Sequence, residues 1–322
     1  MLFLLSLFPA LLAGSLSAES DSDTDDVALS GTDGADSLVG GDGDDDLLGG
    51  LGADTIEGGA GNDLIQGQGG EDVLIGNEGN DAMQGRGQDD TVQGFSGNDW
   101  VDGNDGDDFV RGGAGDDVVI GGDGADAIFG RADDDLIIAG ELPGTPLSNA
   151  QLDQLRDGVS LEDVLNGSLI SSFDLEDDGD ADTVVGGGGD DLMSFGEGDT
   201  ARGGTGEDGF AILAESAGGA AGPAVIQDYT AEDDTIFVYF QSDDVPADSE
   251  ITVADDGDDA VISLDGEELG RVTGAAGQLT ADQIEIVQPI ETPDTTEING
   301  TDDADTQTGG GEDEQLNGAG GA

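Results

Sequence analysis

Gly31-Thr-Asp-Gly-Ala-Asp-Ser-Leu-Val39, Gly40-Gly-Asp-Gly-Asp-Asp-Asp-Leu-Leu48, Gly49-Gly-Leu-Gly-Ala-Asp-Thr-Ile-Glu57 and Gly58-Gly-Ala-Gly-Asn-Asp-Leu-Ile-Gln66 are consecutive nine-residue units. Eight more follow without insertion or deletion, to Ile138. The pattern is G-G-x-G-x-D-x-U-x, with U apolar. Position one is Gly in all twelve units, and position six is Asp in all twelve: Asp36, Asp45, Asp54, Asp63, Asp72, Asp81, Asp90, Asp99, Asp108, Asp117, Asp126 and Asp135. Position eight is aliphatic or Met throughout, from Leu38 and Leu47 to Ile128 and Ile137. Position four departs from Gly only at Gln88 and Asp133. A period held this long marks a repeat architecture before any single element is assigned.

Each unit divides into a six-residue turn and a three-residue x-U-x strand that alternates out, in, out. The glycines at positions one and four are expected to supply positive φ and close backbone approach. Two units make one coil of eighteen residues, so the turns fall into an odd and an even row on opposite edges of a flattened solenoid. Neighbours in a row lie one sheet spacing apart, roughly 4.8 Å. Carboxylates stacked at that distance repel by about 1 kcal/mol per pair in water and about 4 at the effective dielectric of a protein surface. A divalent cation between successive turns reverses that sign, and an irregular all-oxygen cage suits Ca²⁺ better than Mg²⁺. An aspartate that only capped its own turn would be replaceable by Asn, and none of the twelve is replaced.

Composition leads to the same chemistry. The chain of 322 residues has 76 acidic residues, six arginines and no Lys, His or Cys, for a net charge of -70. Nucleic acid, acidic lipid and polyanionic substrates are poor partners for such a surface. Imidazole shuttles, Schiff-base lysines, thiolate nucleophiles and cysteine zinc sites are excluded by residue type. Carboxylate and backbone carbonyl remain, the ligand set of a hard cation. Composition alone would also fit an acidic disordered chain, but disorder does not demand an aliphatic residue two positions after every ninth-residue Asp.

The units from Gly31 to Ile138 resemble those of the RTX, or haemolysin-type calcium-binding, family. The resemblance implies an all-β fold, a right-handed parallel β-roll (β-solenoid), in which position-six aspartates and turn carbonyls bind multiple Ca²⁺ ions between coils. It also implies export from a Gram-negative bacterium. It does not imply an enzyme, because the family attaches these repeats to toxins, proteases, lipases and adhesins.

Outward from the array, Met1 to Ala18 is apolar and uncharged and reads as a secretory signal, with a membrane anchor as the competing reading. Residues 19–30 form an acidic linker. After Ile138 the composition changes. Ser148-Asn-Ala-Gln151 and Ser160-Leu-Glu-Asp163 open two short helices in an insert, 139–176. Its apolar residues Leu152, Leu155, Leu161, Val164 and Leu165 are expected to cover Val118, Ile120, Leu136 and Ile138. Repeats resume imperfectly over 177–209, adding Asp182, Asp191 and Asp208 as candidate ligands. Five strand-like segments between Ala224 and Val272 then suggest a small β domain over 210–287 that caps the roll's open end. Residues 288–322 read as a linker and degenerate repeat tail.

Arg86 and Arg131 occupy position two of units that also lose the position-four Gly. The guanidinium of Arg86 is expected between the turns of Asp72 and Asp108, partly standing in for a cation. Three functions remain open: a secreted or cell-surface calcium-binding protein, an adhesin or matrix component binding glycan or cell surface through Phe95, Trp100, Phe109 and Phe129, and a calcium-dependent hydrolase or its accessory module. The first ranks highest and catalysis lowest, since no substantial non-repeat domain precedes the array.

Overall fold

The computed structural model describes residues 26–141, 178–214, 222–240 and 250–287, with Leu152, Gln154 and Leu155 inside the insert and the backbone of 15–17, 298–299 and 316–317. The readings of 1–14 and of the second insert helix lie outside the described residues, as do most of the first insert helix and the tail.

Two parallel sheets face each other, and the chain alternates between them. The first contains Ser37–Asp42, Thr55–Ala60, Val73–Glu78, Thr91–Ser96, Phe109–Ala114, Ala127–Ala132, Thr183–Gly188 and Thr200–Thr205 in spatial order. The second contains Asp46–Leu51, Leu64–Gly69, Ala82–Gly87, Trp100–Asp105, Val118–Asp123, Leu136–Ile138, Leu192–Phe195 and Gly209–Ala214. Identical repeat positions oppose each other, as in Leu38↔Ile56 and Leu47↔Ile65. The result is the parallel β-roll that the period demands.

The strands are longer than the three residues expected. Each full strand runs through positions seven, eight, nine, one, two and three, leaving only positions four to six as the turn. Pairing skips position one, so Val39↔Glu57 is followed by Gly41↔Gly59 and the strand bends at the intervening glycine. Positive φ falls at positions two and four, not one and four: Gly41 at 135° and Gly43 at 127°, for example. Position one is glycine for the other reason. A Cβ on Gly49 would stand 2.5 Å from Asp54 Oδ2 and 2.7 Å from the carbonyl oxygen of Gly67.

The position-eight residues form one continuous core between the sheets, and Leu38, Ile56, Ile65, Leu74, Met83 and Val92 are all fully buried. Where Ala201 takes that position, Phe195 and Phe210 fill the space, edge to face with ring centroids 6.4 Å apart. Ala28–Ser30, inside the stretch read as linker, is already a strand of the second sheet, pairing Leu29 with Leu47.

A second cluster lies on the outer face of the second sheet. Leu152 of the insert is fully buried there among Leu64, Ala82, Trp100, Ile120 and Ile138, with Leu155, Val118 and Leu136 packed alongside. Trp100, expected to point outward, is therefore only 3% exposed. At the C-terminal end, Ile251–Asp256, Asp259–Leu264 and Glu267–Val272 make an antiparallel meander joined in parallel to Ala224–Gln227, extending the first sheet. Ile284–Val287 adds to the second sheet beside Thr235–Phe240.

Candidate metal centre

The short turn aims each position-six aspartate inward, because the next residue must enter a strand while position four turns back at positive φ. Asp36, Asp45, Asp54, Asp63, Asp72, Asp81, Asp90, Asp99, Asp108, Asp117, Asp126, Asp135, Asp182, Asp191 and Asp208 are all buried. Each acts on the coil before it. The backbone N–H of Asp36 donates to Oδ1 of Asp54 at 2.8 Å, that of Asp45 to Asp63 at 2.8 Å and that of Asp99 to Asp117 at 2.8 Å. The two rows expected from the eighteen-residue coil are thus two hydrogen-bonded ladders.

The insert does not interrupt them. Asp126 N–H reaches Asp182 Oδ1 at 2.7 Å and Asp135 N–H reaches Asp191 Oδ1 at 3.0 Å, with the spacing between partners raised from 18 to 56 residues. The difference equals residues 139–176, so that segment leaves and returns within one coil.

The other carboxylate oxygen differs. Oδ2 is buried without a hydrogen-bond partner in Asp45, Asp54, Asp63, Asp72, Asp81, Asp90, Asp99, Asp108, Asp117, Asp126, Asp135, Asp182 and Asp191. A buried polar oxygen left unmet costs about 1–3 kcal/mol, and more when charged. Except at Asp182, these oxygens crowd the first glycine of their own unit, in several units together with the carbonyl of the first glycine one coil on. Burial is the largest cause raising their pKa values, and like-charged neighbours in the row add to it. Asp63 is pushed up to about 8, Asp90 to about 8, Asp117 to about 9 and Asp182 to about 9. Such a row fits a hard divalent cation: it supplies anionic oxygens at a regular spacing, already desolvated and short of one partner each.

The ends of the rows are built otherwise. Asp36 Oδ2 accepts Thr32 N–H at 2.6 Å and Thr32 Oγ1 at 2.8 Å. Asp199, which the sequence reading passed over, accepts Asp182 N–H on Oδ1 at 2.9 Å and Gly196 N–H on Oδ2 at 2.7 Å. Asp234 likewise accepts Asp208 N–H at 3.1 Å and Thr230 N–H at 2.6 Å. A signal for both was present: Asp199-Thr-Ala201 and Asp234-Thr-Ile236 keep the Asp-x-U spacing although the nine-residue period has failed.

A further ladder was not foreseen. Position-five side chains of the even row accept the backbone N–H of the following coil, in the reverse direction: Asp26 from Asp44, Asp44 from Asn62, Asn62 from Asn80, Asn80 from Asn98, Asn98 from Asp116 and Asp116 from Asp134. In the odd row, among the described residues, it is made by Asp89 and Asp107, while Ala35, Ala53 and Ala125 offer no side-chain oxygen.

Arg86 does not behave as expected. It lies in the strand Ala82–Gly87 opposite Asn104. Among the described residues no ion pair joins it to Asp72, Asp90 or Asp108. Outside the rows, Asp105, Asp123 and Glu141 bring carboxylate oxygens within 4.8 Å of one another.

Comparison with known proteins agrees with this geometry. A model of the RTX calcium-binding nonapeptide repeat (four copies) matches residues 28–56, 48–83, 75–110, 102–137 and 174–200. No curated protein matches the chain. Among solved structures, the crystal structure of the extracellular lipase LipA from Serratia marcescens is similar at 15% identity and a TM-score of 0.22. That match covers 85% of this chain and 42% of the lipase chain, so the chain spans less than half the lipase's length.

Proposed function

Because residues 28–137 and 174–200 belong to the RTX calcium-binding nonapeptide repeat family, we propose that this chain is a secreted or cell-surface protein of a Gram-negative bacterium whose array folds on meeting extracellular Ca²⁺. The observation that carries the reading is the unbroken series of orphaned Oδ2 atoms from Asp45 to Asp191. Asp45, Asp54, Asp63, Asp72, Asp81, Asp90, Asp99, Asp108, Asp117, Asp126, Asp135, Asp182 and Asp191 are the ligands in this reading, with turn carbonyls completing each site. Asp208 joins them as a ligand next to Asp234, which closes its row. Asp36 contributes less, since Thr32 already engages its second oxygen.

Bound Ca²⁺ supplies positive charge between carboxylates that otherwise repel and are cut off from water. The protein residues do the rest: position-one glycines leave room for the carboxylate, and the Oδ1 bonds hold each side chain in its rotamer. Binding only the folded array transfers binding energy to folding. In a low-calcium cytosol the chain would stay loose for export, and dissociation constants of about 10⁻⁴ to 10⁻³ M would fold it outside. The reading assigns no catalytic residue.

The test is far-UV circular dichroism of residues 19–322 during a Ca²⁺ titration, with Mg²⁺ as control. A coil spectrum that becomes β at submillimolar to millimolar Ca²⁺, and not with Mg²⁺, is expected. A β spectrum already complete in chelator would overturn the switch. A second reading, an adhesin or matrix component, is favoured by Phe95 and Phe109, which are 40% and 36% exposed on the first sheet.

A further inference from the structure

The outer face of the first sheet carries a group of side chains that calcium binding does not use. Arg111 and Phe129 are register partners, as are Gly113 and Arg131 on the same two strands. The Arg111 guanidinium carbon lies 5.7 Å from the Phe95 ring centroid, and that of Arg131 lies 5.3 Å from the Phe129 centroid. The rings of Phe109 and Phe129 are 5.3 Å apart, tilted by 37°.

With 76 acidic residues in the chain, an arginine without a carboxylate needs a reason. Arg202 pairs with Asp228, and Arg271 with Asp256, Asp259 and Glu268. Among the described residues neither Arg111 nor Arg131 has such a partner, and Arg111 Nε is buried with no hydrogen bond. A guanidinium over a ring is held in place by the aromatic face, and with Nε buried in Arg111 its terminal N–H groups are the ones left to meet an oxyanion. Phe95 also borders an open trough of about 580 Å³ that runs across neighbouring strands to Val39; Asp42, Glu57 and Glu78 line it, so the cationic part of this face is the Arg111 and Arg131 end.

We propose that this face binds a carboxylate-bearing glycan lying along the stack of coils, its carboxylates on Arg111 and Arg131 and its sugar faces on Phe95, Phe109 and Phe129. Charge complementarity is local. At physiological ionic strength the Debye length is about 8 Å, which screens the distant acidic turns; Asp42, Glu57 and Glu78 in the trough are on the same face, so the glycan's carboxylates are held at the guanidiniums and its uncharged hydroxyls face the trough. An extended peptide has no edge to join, because the strands Phe109–Ala114 and Ala127–Ala132 are hydrogen-bonded on both sides. Aromatic rings on one sheet face, with Asn77 paired beside Phe95, suit the alternating apolar and hydroxyl surfaces of sugars.

The inference deepens the adhesin reading and needs the folded roll, not the calcium switch. The test is calorimetric titration of the full chain in saturating Ca²⁺ with a hyaluronan octasaccharide, a chitin oligosaccharide as neutral counterpart and a hexaglutamate peptide. The octasaccharide is expected to bind, the other two at least tenfold more weakly. The double variant Arg111→Gln/Arg131→Gln should lose at least tenfold in affinity, and Phe95→Ser several-fold, with the Ca²⁺-induced β spectrum unchanged in both. Failure of the native chain to bind the octasaccharide overturns the assignment. So does equal binding of the neutral sugar or the peptide, or full affinity in the double variant. If the double variant misfolds, Phe95→Ser at the exposed ring decides in its place. A failed calcium switch with octasaccharide binding intact would overturn only the folding account.

Discussion

Asp117 stands in the middle of its row and Asp199 near the end of the other. Both accept a backbone N–H on Oδ1, from Asp99 at 2.8 Å and from Asp182 at 2.9 Å. At Oδ2 they part. That of Asp199 is met by Gly196 N–H at 2.7 Å, whereas that of Asp117 is buried with no partner. Asp36 and Asp234 resemble Asp199, each satisfied by a threonine four residues before it. One residue type in one ladder therefore serves two ends. Where the chain supplies a donor, the aspartate is a structural cap. Where it supplies none, the shortage repeats coil after coil, and a cation is the economical remedy.

The contrast is broken most severely by changing the charge of the whole row. In the metal-free chain, Asp63, Asp117, Asp126 and Asp182 are pushed up to about 8, 9, 8 and 9 from an ordinary value of 3.8. Folded values above unfolded ones mean that protonation favours folding. The contribution is complete below the unfolded value and is lost as pH rises through the folded ones. Chelator-treated protein should therefore gain β signal on acidification towards pH 3.8 and lose it between about pH 6 and 9. A metal-free spectrum that stays coil at acid pH would remove burial of the row as the source of the instability.

Next in size is a matched pair of substitutions. Asp117→Asn removes the negative charge and one of the two acceptor oxygens at a row position with no local donor. It should lower the calcium stoichiometry and raise the folding midpoint several-fold. Asp199→Asn should leave the stoichiometry unchanged and cost about 1 kcal/mol, the worth of a typical hydrogen bond. Equal calcium effects in the two variants, measured by calorimetry, would erase the distinction between interior and end.

The smallest effect is expected at Thr32→Val. It removes the hydroxyl that donates to Asp36 Oδ2 at 2.8 Å but keeps the backbone bond at 2.6 Å. A loss of about 1 kcal/mol in calcium-saturated stability is expected. Appearance of an additional bound ion would show that Thr32 had been holding the row's end closed to metal.

Much of the site was legible because a period repeats its own evidence. The aspartate positions, the buried column two residues on and the two rows all follow from nine-residue spacing. Asp199 was missed because its unit is one residue short, so counting failed while hydrogen bonding did not: the ladder accepts a spacing of 17 as readily as 18. The positive φ at position two was hidden because Gln68, Asn77, Phe95 and Asn104 occupy it in place of glycine, at 71° to 87°. Trp100 was read as outward-facing, which is correct for its strand, yet a residue distant in sequence, Leu152, packs in the cluster that buries it.

By itself the sequence determined the roll, its core and its aspartate rows, since each depends on residues close in the repeat and reinforced at every coil. It also pointed to the covered face, since Leu152 and Leu155 were expected over Val118, Ile120, Leu136 and Ile138; only the tertiary structure showed what else that cover buries and what the other face presents. The second sheet's face buries Trp100, Ile120 and Ile138 in a cluster that includes Leu152 of a non-repeating insert, while the first sheet's face presents Phe95 and Phe109 with unpaired Arg111 and Arg131. Apolar attraction is non-directional, so outward aliphatics announce that a face will be covered, while which distant side chains share the cover, as Trp100 does with Leu152, depends on three-dimensional packing.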